Sequence, residues 1–283
     1  MQVGRTSMLG RKVVLAITLA LLSASLPKLA QANQSTQTTA GILDDLQIAF
    51  GGWGYSAGFN NPSAGSPRLN GVAGADPGIW VEPQFSLSGP SKDLRWVAIP
   101  RFSFVSGREG LLYNAQNPSL GVQGVLYSDT RTTWWARFEN LFPLNAGAQR
   151  DGLIANPQSV QFVSYQPKDS RFLFRSVVVP SFSFFSDGST SDLIYISPQV
   201  WYQFNPKLKL TLLTEHLVFR ERGKPLFNYV SLDAAPTHLL AGFRYDFSQR
   251  FWLQPMVNFL PSAGVTQMGQ TAHLAIFFGG QLR

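Results

Sequence analysis

The chain has 283 residues, of which 14% are charged, 13% aromatic and 45% hydrophobic, with 22 phenylalanines, no cysteine and a formal charge of +7. So low a charge content, against about 25% in an average soluble domain, argues against a water-exposed enzyme surface, and the apolar fraction argues against disorder. The lack of cysteine excludes disulfide scaffolds, thiolate metal sites, cysteine nucleophiles and the lipidated cysteine of a bacterial lipoprotein.

Residues 1–32 read as a cleaved signal peptide. Arg5, Arg11 and Lys12 form a positive start, Val13 to Leu22 an apolar run, and Ala30-Gln31-Ala32 supplies small residues where a signal peptidase reads, so cleavage is expected after Ala32. The apolar run is too short to span a bilayer as a helix. The segment holds four cations (Arg5, Arg11, Lys12, Lys28) and no acid, so its removal leaves the mature chain at +3. A charge of that size gives no reason to expect nucleic acid as a partner. Residues 33–45 are polar and read as a periplasmic lead-in. No later window holds eighteen consecutive apolar residues, so a membrane location for the mature chain requires a closed β-barrel.

From Ile79 onward the pattern alternates at period 2 in segments of about ten residues, the length a tilted membrane-crossing strand needs. Ile79 to Ser88 sets Ile79, Val81, Pro83, Phe85 and Leu87 against Trp80, Glu82, Gln84, Ser86 and Ser88. Leu94 to Phe104 sets Trp96, Ala98, Phe102 and Phe104 against Arg95, Val97, Ile99, Arg101 and Ser103. Arg171 to Phe184 and Thr237 to Phe247 repeat the arrangement, with Arg175 and Arg244 on their polar faces. Twelve strands are predicted, starting near Leu46, Ile79, Leu94, Ser119, Thr132, Gln158, Arg171, Asp192, Lys207, Thr237, Arg250 and Thr271.

The joints alternate in length. Short ones fall at Gly89 to Asp93, Asp129 to Arg131, Pro167 to Ser170, Asn205-Pro206 and Ser248-Gln249. Long ones run over Ala57 to Gly78, Ser106 to Pro118, Pro143 to Pro157, Ser186 to Ser191, Glu221 to Pro236 and Pro261 to Gln270. This rhythm predicts an all-β, up-and-down antiparallel transmembrane β-barrel of about 12 strands over residues 46–283, with tight periplasmic turns and both termini on that side. The turns Tyr202-Gln-Phe204-Asn-Pro-Lys207 and Tyr245-Asp-Phe247-Ser-Gln-Arg250 place aromatics and a cation as a membrane interface favours. Trp53, Tyr55, Trp80 and Tyr195 are assigned to the opposite aromatic girdle. Pro83, Pro100, Pro180, Pro198 and Pro255 fall mid-strand on the apolar face, where bulges are expected. Leu274, Ile276 and Phe278 alternate, yet the chain continues through Gly279 to Arg283 rather than ending on an aromatic.

With the apolar face turned to lipid, the lumen receives Glu82, Arg95, Arg101, Arg137, Glu139, Arg175, Glu215, Arg244 and Asp246. Strand parity lets Glu82 meet Arg101 and Arg244 lie across from Trp252. Guanidinium groups in a narrow pore favour small polar or anionic solutes; the alternative is a non-conducting structural or surface-recognition barrel in which such pairs brace the wall. An outer-membrane lipid hydrolase is the third reading. It would have to draw on Ser231, Asp233 and His238, whose spacing matches no nucleophile motif. Neither His216 nor His273 lies at metal-ligand spacing from another histidine, and no phosphate loop or dinucleotide fingerprint occurs, so no metal and no cofactor is expected.

The signal peptide, the alternating strands and the joint rhythm together resemble bacterial outer-membrane β-barrel proteins as a class, from Leu46 to the C-terminus. The resemblance implies a Gram-negative bacterium, a place in its outer membrane, contact with outer-membrane lipid including lipopolysaccharide, and handling by periplasmic chaperones and the barrel-assembly machinery. It implies no particular solute.

Overall fold

The computed structural model of the chain describes residues 45–58, 78–89, 91, 93–107, 110–225, 238–259 and 272–282. Alternation becomes strands throughout: β1 (Gln47–Gly58), β2 (Gly78–Ser88), β3 (Leu94–Ile99), β4 (Phe102–Gly107), β5 (Gly110–Ala115), β6 (Ser119–Ser128), β7 (Thr132–Leu141), β8 (Leu153–Tyr165), β9 (Phe172–Phe185), β10 (Thr190–Gln203), β11 (Leu208–Arg220), β12 (His238–Asp246), β13 (Phe251–Phe259) and β14 (His273–Gln281). A short helix, α1 (Ala146–Arg150), follows β7, its N-terminus capped by the Asn145 side chain.

Strand β1 pairs with both β2 and β14, which closes a ring of twelve antiparallel strands made of β1 to β3 and β6 to β14. Closure leaves the ring without an exposed edge. Both ends of the ring lie on one rim: Gln47 starts β1 opposite Ser86, and Leu282 N–H bonds Ile48 O at 2.8 Å. This is the rim of the short turns.

Strands β4 and β5 stand outside the ring. Residues Ser106 to Pro118, expected as a loop, instead form most of this hairpin, in which β4 continues β3 beyond Pro100-Arg101 and holds the far half of β2. The joint over Pro143 to Pro157 is likewise shorter than expected, because it contains α1 and the first residues of β8. The joint at Ser186 to Ser191 shrinks to four residues. Gly188 takes φ +82°, which a side chain would resist, and Asp187 accepts the Ser189 N–H, so a turn forms that is as tight as those on the other rim.

The prolines do not produce the expected bulges. At Pro180 the β9–β10 ladder is continuous while the β8–β9 ladder skips from Gln158↔Ser181 to Gln161↔Val178 without changing register. Pro198 leaves the same one-sided gap toward β11, and Pro255 toward β12. Antiparallel residues bond one neighbour at a time, so a proline removes a bond on one side only. Pro100 differs in that β3 ends before it; the shared register of β2 with β3 and β4 sets it level with Pro83. The register shifts lie elsewhere, at Tyr55/Gly58, Val125/Tyr127 and Leu153/Ala155.

The two faces of the wall are inverted relative to a soluble barrel. Phe138, Phe174, Phe182, Leu212 and Phe243 point outward and are 45–48% exposed, while Ser197, Thr211, Asn258 and His273 point inward at 0%. Such a continuous apolar exterior is tolerable only against lipid. Tyr202 with Phe204 and Tyr245 with Phe247 form edge-on pairs beside their short turns, as a girdle requires. The second girdle assignment is corrected: Trp53, Tyr55, Trp80 and Tyr195 all point into the barrel. The parity set by Gly51↔Glu82 and Trp53↔Trp80 puts Trp53, Tyr55 and Trp80 on the face of Glu82, and Tyr195 Oη bonds Glu215 on the same inward side.

Candidate functional site in the barrel lumen

All nine charged residues assigned to the lumen lie on inward-facing positions, and the fold sorts them into separate groups. Arg101 sits in the break between β3 and β4. Its Nε donates to Glu82 Oε1 at 2.7 Å and its Nη2 to Glu139 Oε1 at 2.9 Å. Glu139, with no side-chain exposure, also accepts from Ser119 Oγ and Gln158 Nε2, both at 2.5 Å, and has Arg137 Nε at 3.2 Å. Two carboxylates and two guanidiniums thus neutralise one another across β2, β6, β7 and β8. A buried charge stripped of its partner costs several kcal/mol, so this group is a brace.

Arg95 lies nearer the short-turn rim and donates Nη2 to the Asp45 carbonyl at 2.6 Å, with Asp45 Oδ1 at 3.3 Å. Asp45 also accepts from Ser88 N–H and Ser88 Oγ. Those bonds, the Ser88 backbone N–H foremost, hold its carboxyl below the ordinary range.

A second inward zone alternates cations and aromatics around six strands. The Arg175 guanidinium (β9) lies 4.6 Å from the Phe162 ring (β8) and 5.5 Å from Trp201 (β10). The Arg244 guanidinium (β12) lies 5.3 Å from Trp201 and 4.2 Å from Trp252 (β13). Stacking of this kind contributes about 0.5–2 kcal/mol per contact and holds the planar cations in place. Gly279 makes room for the last member, since a Cβ there would lie 2.8 Å from the Trp252 ring. Lys209 and Arg244 share the single carboxylate of Asp246, at 2.5 and 2.8 Å. Arg175 makes no hydrogen bond and no ion pair among the described residues, and its Nε is buried. This zone therefore carries positive charge in excess of its acids.

Arg175 borders a cavity of about 440 Å³ that is also lined by Glu82, Gln84, Trp135, Arg137 and Phe162. The cavity joins the brace of Glu82 and Arg137 to this second zone at Phe162 and Arg175. Among the described residues its charges are paired except for Arg175.

The third zone is packed. Tyr55, Leu213, Leu240, Met256 and Ala275 form a buried cluster with Trp53, Trp80 and Phe277 against it, toward the rim opposite the short turns. Within it Tyr195 Oη donates to Glu215 Oε1 at 2.7 Å, and Asn258 lies within 3.2 Å of His238 Nδ1 and 3.1 Å of His273 Nε2.

Phe162, Trp201, Lys209 and Trp135 were not assigned to the lumen from sequence. Parity marks them: Trp135 shares the face of Arg137 and Glu139, and Lys209 that of Glu215. His216 faces outward beside Thr214 Oγ1 at 2.9 Å, while Ser231 and Asp233 lie outside the described residues. Among the described residues no cluster of three or more His, Asp or Glu is placed to hold a metal ion.

No protein-family model matches the sequence, and no curated protein matches it. Among solved structures the chain is similar to an outer membrane channel from Pseudomonas putida F1, with a TM-score of 0.53 at 11% identity over 84% of this chain and 96% of that one. It also aligns with the NanC porin at a TM-score of 0.45, 12% identity, 82% of this chain and 97% of that one. Salmonella typhi OmpF aligns at a TM-score of 0.39, 10% identity, 84% and 97%. The likeness to the Pseudomonas channel is one of fold: this chain shares its architecture of a closed antiparallel β-barrel.

Proposed function

We propose that the mature chain, released from its signal peptide after Ala32, is a narrow porin-like channel of a Gram-negative outer membrane that passes small polar or anionic solutes. The apolar exterior suits outer-membrane lipid, including lipopolysaccharide, and a barrel of this kind depends on periplasmic chaperones and the assembly machinery for insertion. The observation that carries the solute preference is Arg175, a lumenal guanidinium without a counter-charge among the described residues, together with Arg244 and Lys209, which have one carboxylate between them. A pore lined by such cations attracts anions. The paired Arg101 contributes little to that field.

The test is single-channel conductance of residues 33–283 refolded into a planar bilayer, with the reversal potential read in a potassium chloride gradient. Discrete steps with a chloride bias, reduced by Arg175→Ala and further by adding Arg244→Ala, support the channel. A second reading, a non-conducting structural or surface-recognition barrel, draws on the packed cluster around Leu240 and Met256. Insertion without current would favour it.

A further inference from the structure

We propose that the cavity beside Arg175 is a binding site for a monocarboxylate carried on a six-membered ring. The inference rests on the channel reading for access of solutes to the lumen, and it goes beyond that reading in naming a ligand class and a place where it pauses.

The charge of the ligand follows from the pairing around the cavity. Glu82 is met by Arg101 at 2.7 Å, and Arg137 lies 3.2 Å from Glu139, so the ion pairs of the wall cancel one another. Arg175 alone brings an uncompensated charge to the cavity and makes no hydrogen bond among the described residues. The Nε of Arg175 is buried without an acceptor while the residue borders the cavity, and a single carboxylate, which takes two parallel N–H bonds from one guanidinium, removes the cost of that unmet donor. A dianion would leave one charge unmatched.

The body of the ligand follows from the remaining walls. Trp135 and Phe162 stand with ring centroids 5.2 Å apart and tilted by 56°, and Val160 continues the apolar side. Gln84 and the free side of Glu82 supply a polar side. A volume of about 440 Å³ lies near the small end of the roughly 300–1,000 Å³ range of small-molecule sites, which suits a single ring and not a chain of them. The guanidinium itself is fixed by Phe162 and Trp201 on its flanks, so the site is preorganised. An acyclic anion such as acetate would satisfy Arg175 and leave the aromatic wall unused.

The experiment is calorimetric titration of the refolded mature chain in detergent, run beside the conductance measurement. The probes are benzoate, glucuronate, acetate and the uncharged benzyl alcohol. Either ring acid is expected to bind at least tenfold more tightly than acetate and than benzyl alcohol, and the order of benzoate and glucuronate tells whether the ring is aromatic or hydroxylated. Arg175→Met should weaken the ring acid at least tenfold, with Arg175→Lys recovering part of it, and heat-shifted gel mobility confirms that each variant is folded. Equal binding of acetate and both ring acids, or unchanged binding by folded Arg175→Met, overturns the proposal. The two readings fail separately: anion-selective current without ring-acid binding removes the site and leaves the channel. Ring-acid binding without current keeps the site and removes the channel.

Discussion

Replacing Arg101 by methionine should unfold the brace without changing the selectivity of the lumen. The substitution keeps the length and apolar stem of the side chain and deletes the donors to Glu82 Oε1 at 2.7 Å and Glu139 Oε1 at 2.9 Å. Glu82, with its side chain 18% exposed, regains water, but Glu139 at 0% does not. Removing one partner of a buried pair costs about 3–5 kcal/mol. Glu139 still has Ser119, Gln158 and the nearby Arg137, so about 3 kcal/mol, the lower end of that range, is expected. Adding Glu139→Gln takes away the stranded charge and should recover about 1–2 kcal/mol, since residues of one network do not act additively. The assay is reversible urea unfolding of the refolded barrel in lipid vesicles, followed by tryptophan fluorescence, for the wild type, both single variants and the double variant. A loss below about 0.5 kcal/mol for Arg101→Met, or strictly additive losses in the double variant, would refute the brace.

Other outcomes follow from the same geometry. Phe138→Arg places a cation on the lipid side of β7, where Phe138 is 48% exposed, and should cost about 2–4 kcal/mol near the bilayer midplane; unchanged unfolding in vesicles would contradict the face assignment. Gly279→Ala drives a Cβ to 2.8 Å from the Trp252 ring, so overpacking of about 1–3 kcal/mol should accompany a shift of the indole off Arg244, seen as a changed tryptophan spectrum and a smaller chloride bias. Asp187, in the β9–β10 turn, has its carboxyl held down to about 2 by the Ser189 hydrogen bonds first and then by Arg222. Because its folded pKa is depressed, its stabilisation is fully present above the ordinary carboxylate value of about 3.9 and fades as pH falls toward about 2. The stability difference between wild type and Asp187→Asn should accordingly be flat from pH 7 to 5 and close between about pH 4 and 2; a difference that closes above pH 5 would point to another group.

The barrel was legible from the chain because lipid imposes its own alternation. Phe102 and Phe104 against Arg101 and Ser103, or Leu212 against Glu215, needed only a period of two to be placed on opposite faces, and a membrane protein without an apolar helix has no other closed solution. Tight turns such as Ser248-Gln249 were legible for the same local reason. The hairpin of β4 and β5 was not, since Ser106 to Pro118 reads as a loop until β2 offers Gly78–Val81 as a ladder. The prolines misled in the other direction, because the side of the strand that loses a bond depends on a neighbour the sequence does not name.

The sequence alone set the charged residues of the strands apart from the lipid-facing ones, since parity is a local property of an extended chain, but it did not place the inward aromatics Trp53, Tyr55, Trp80 and Tyr195. Only the closed ring decided what the inward residues do. Arg101 and Arg175 occupy equivalent places in the pattern, yet one meets Glu82 and Glu139 while the other meets Phe162 and Trp201. Register and curvature choose those partners, and a guanidinium becomes a brace or an open charge according to which carboxylates the neighbouring strands bring within about 4 Å.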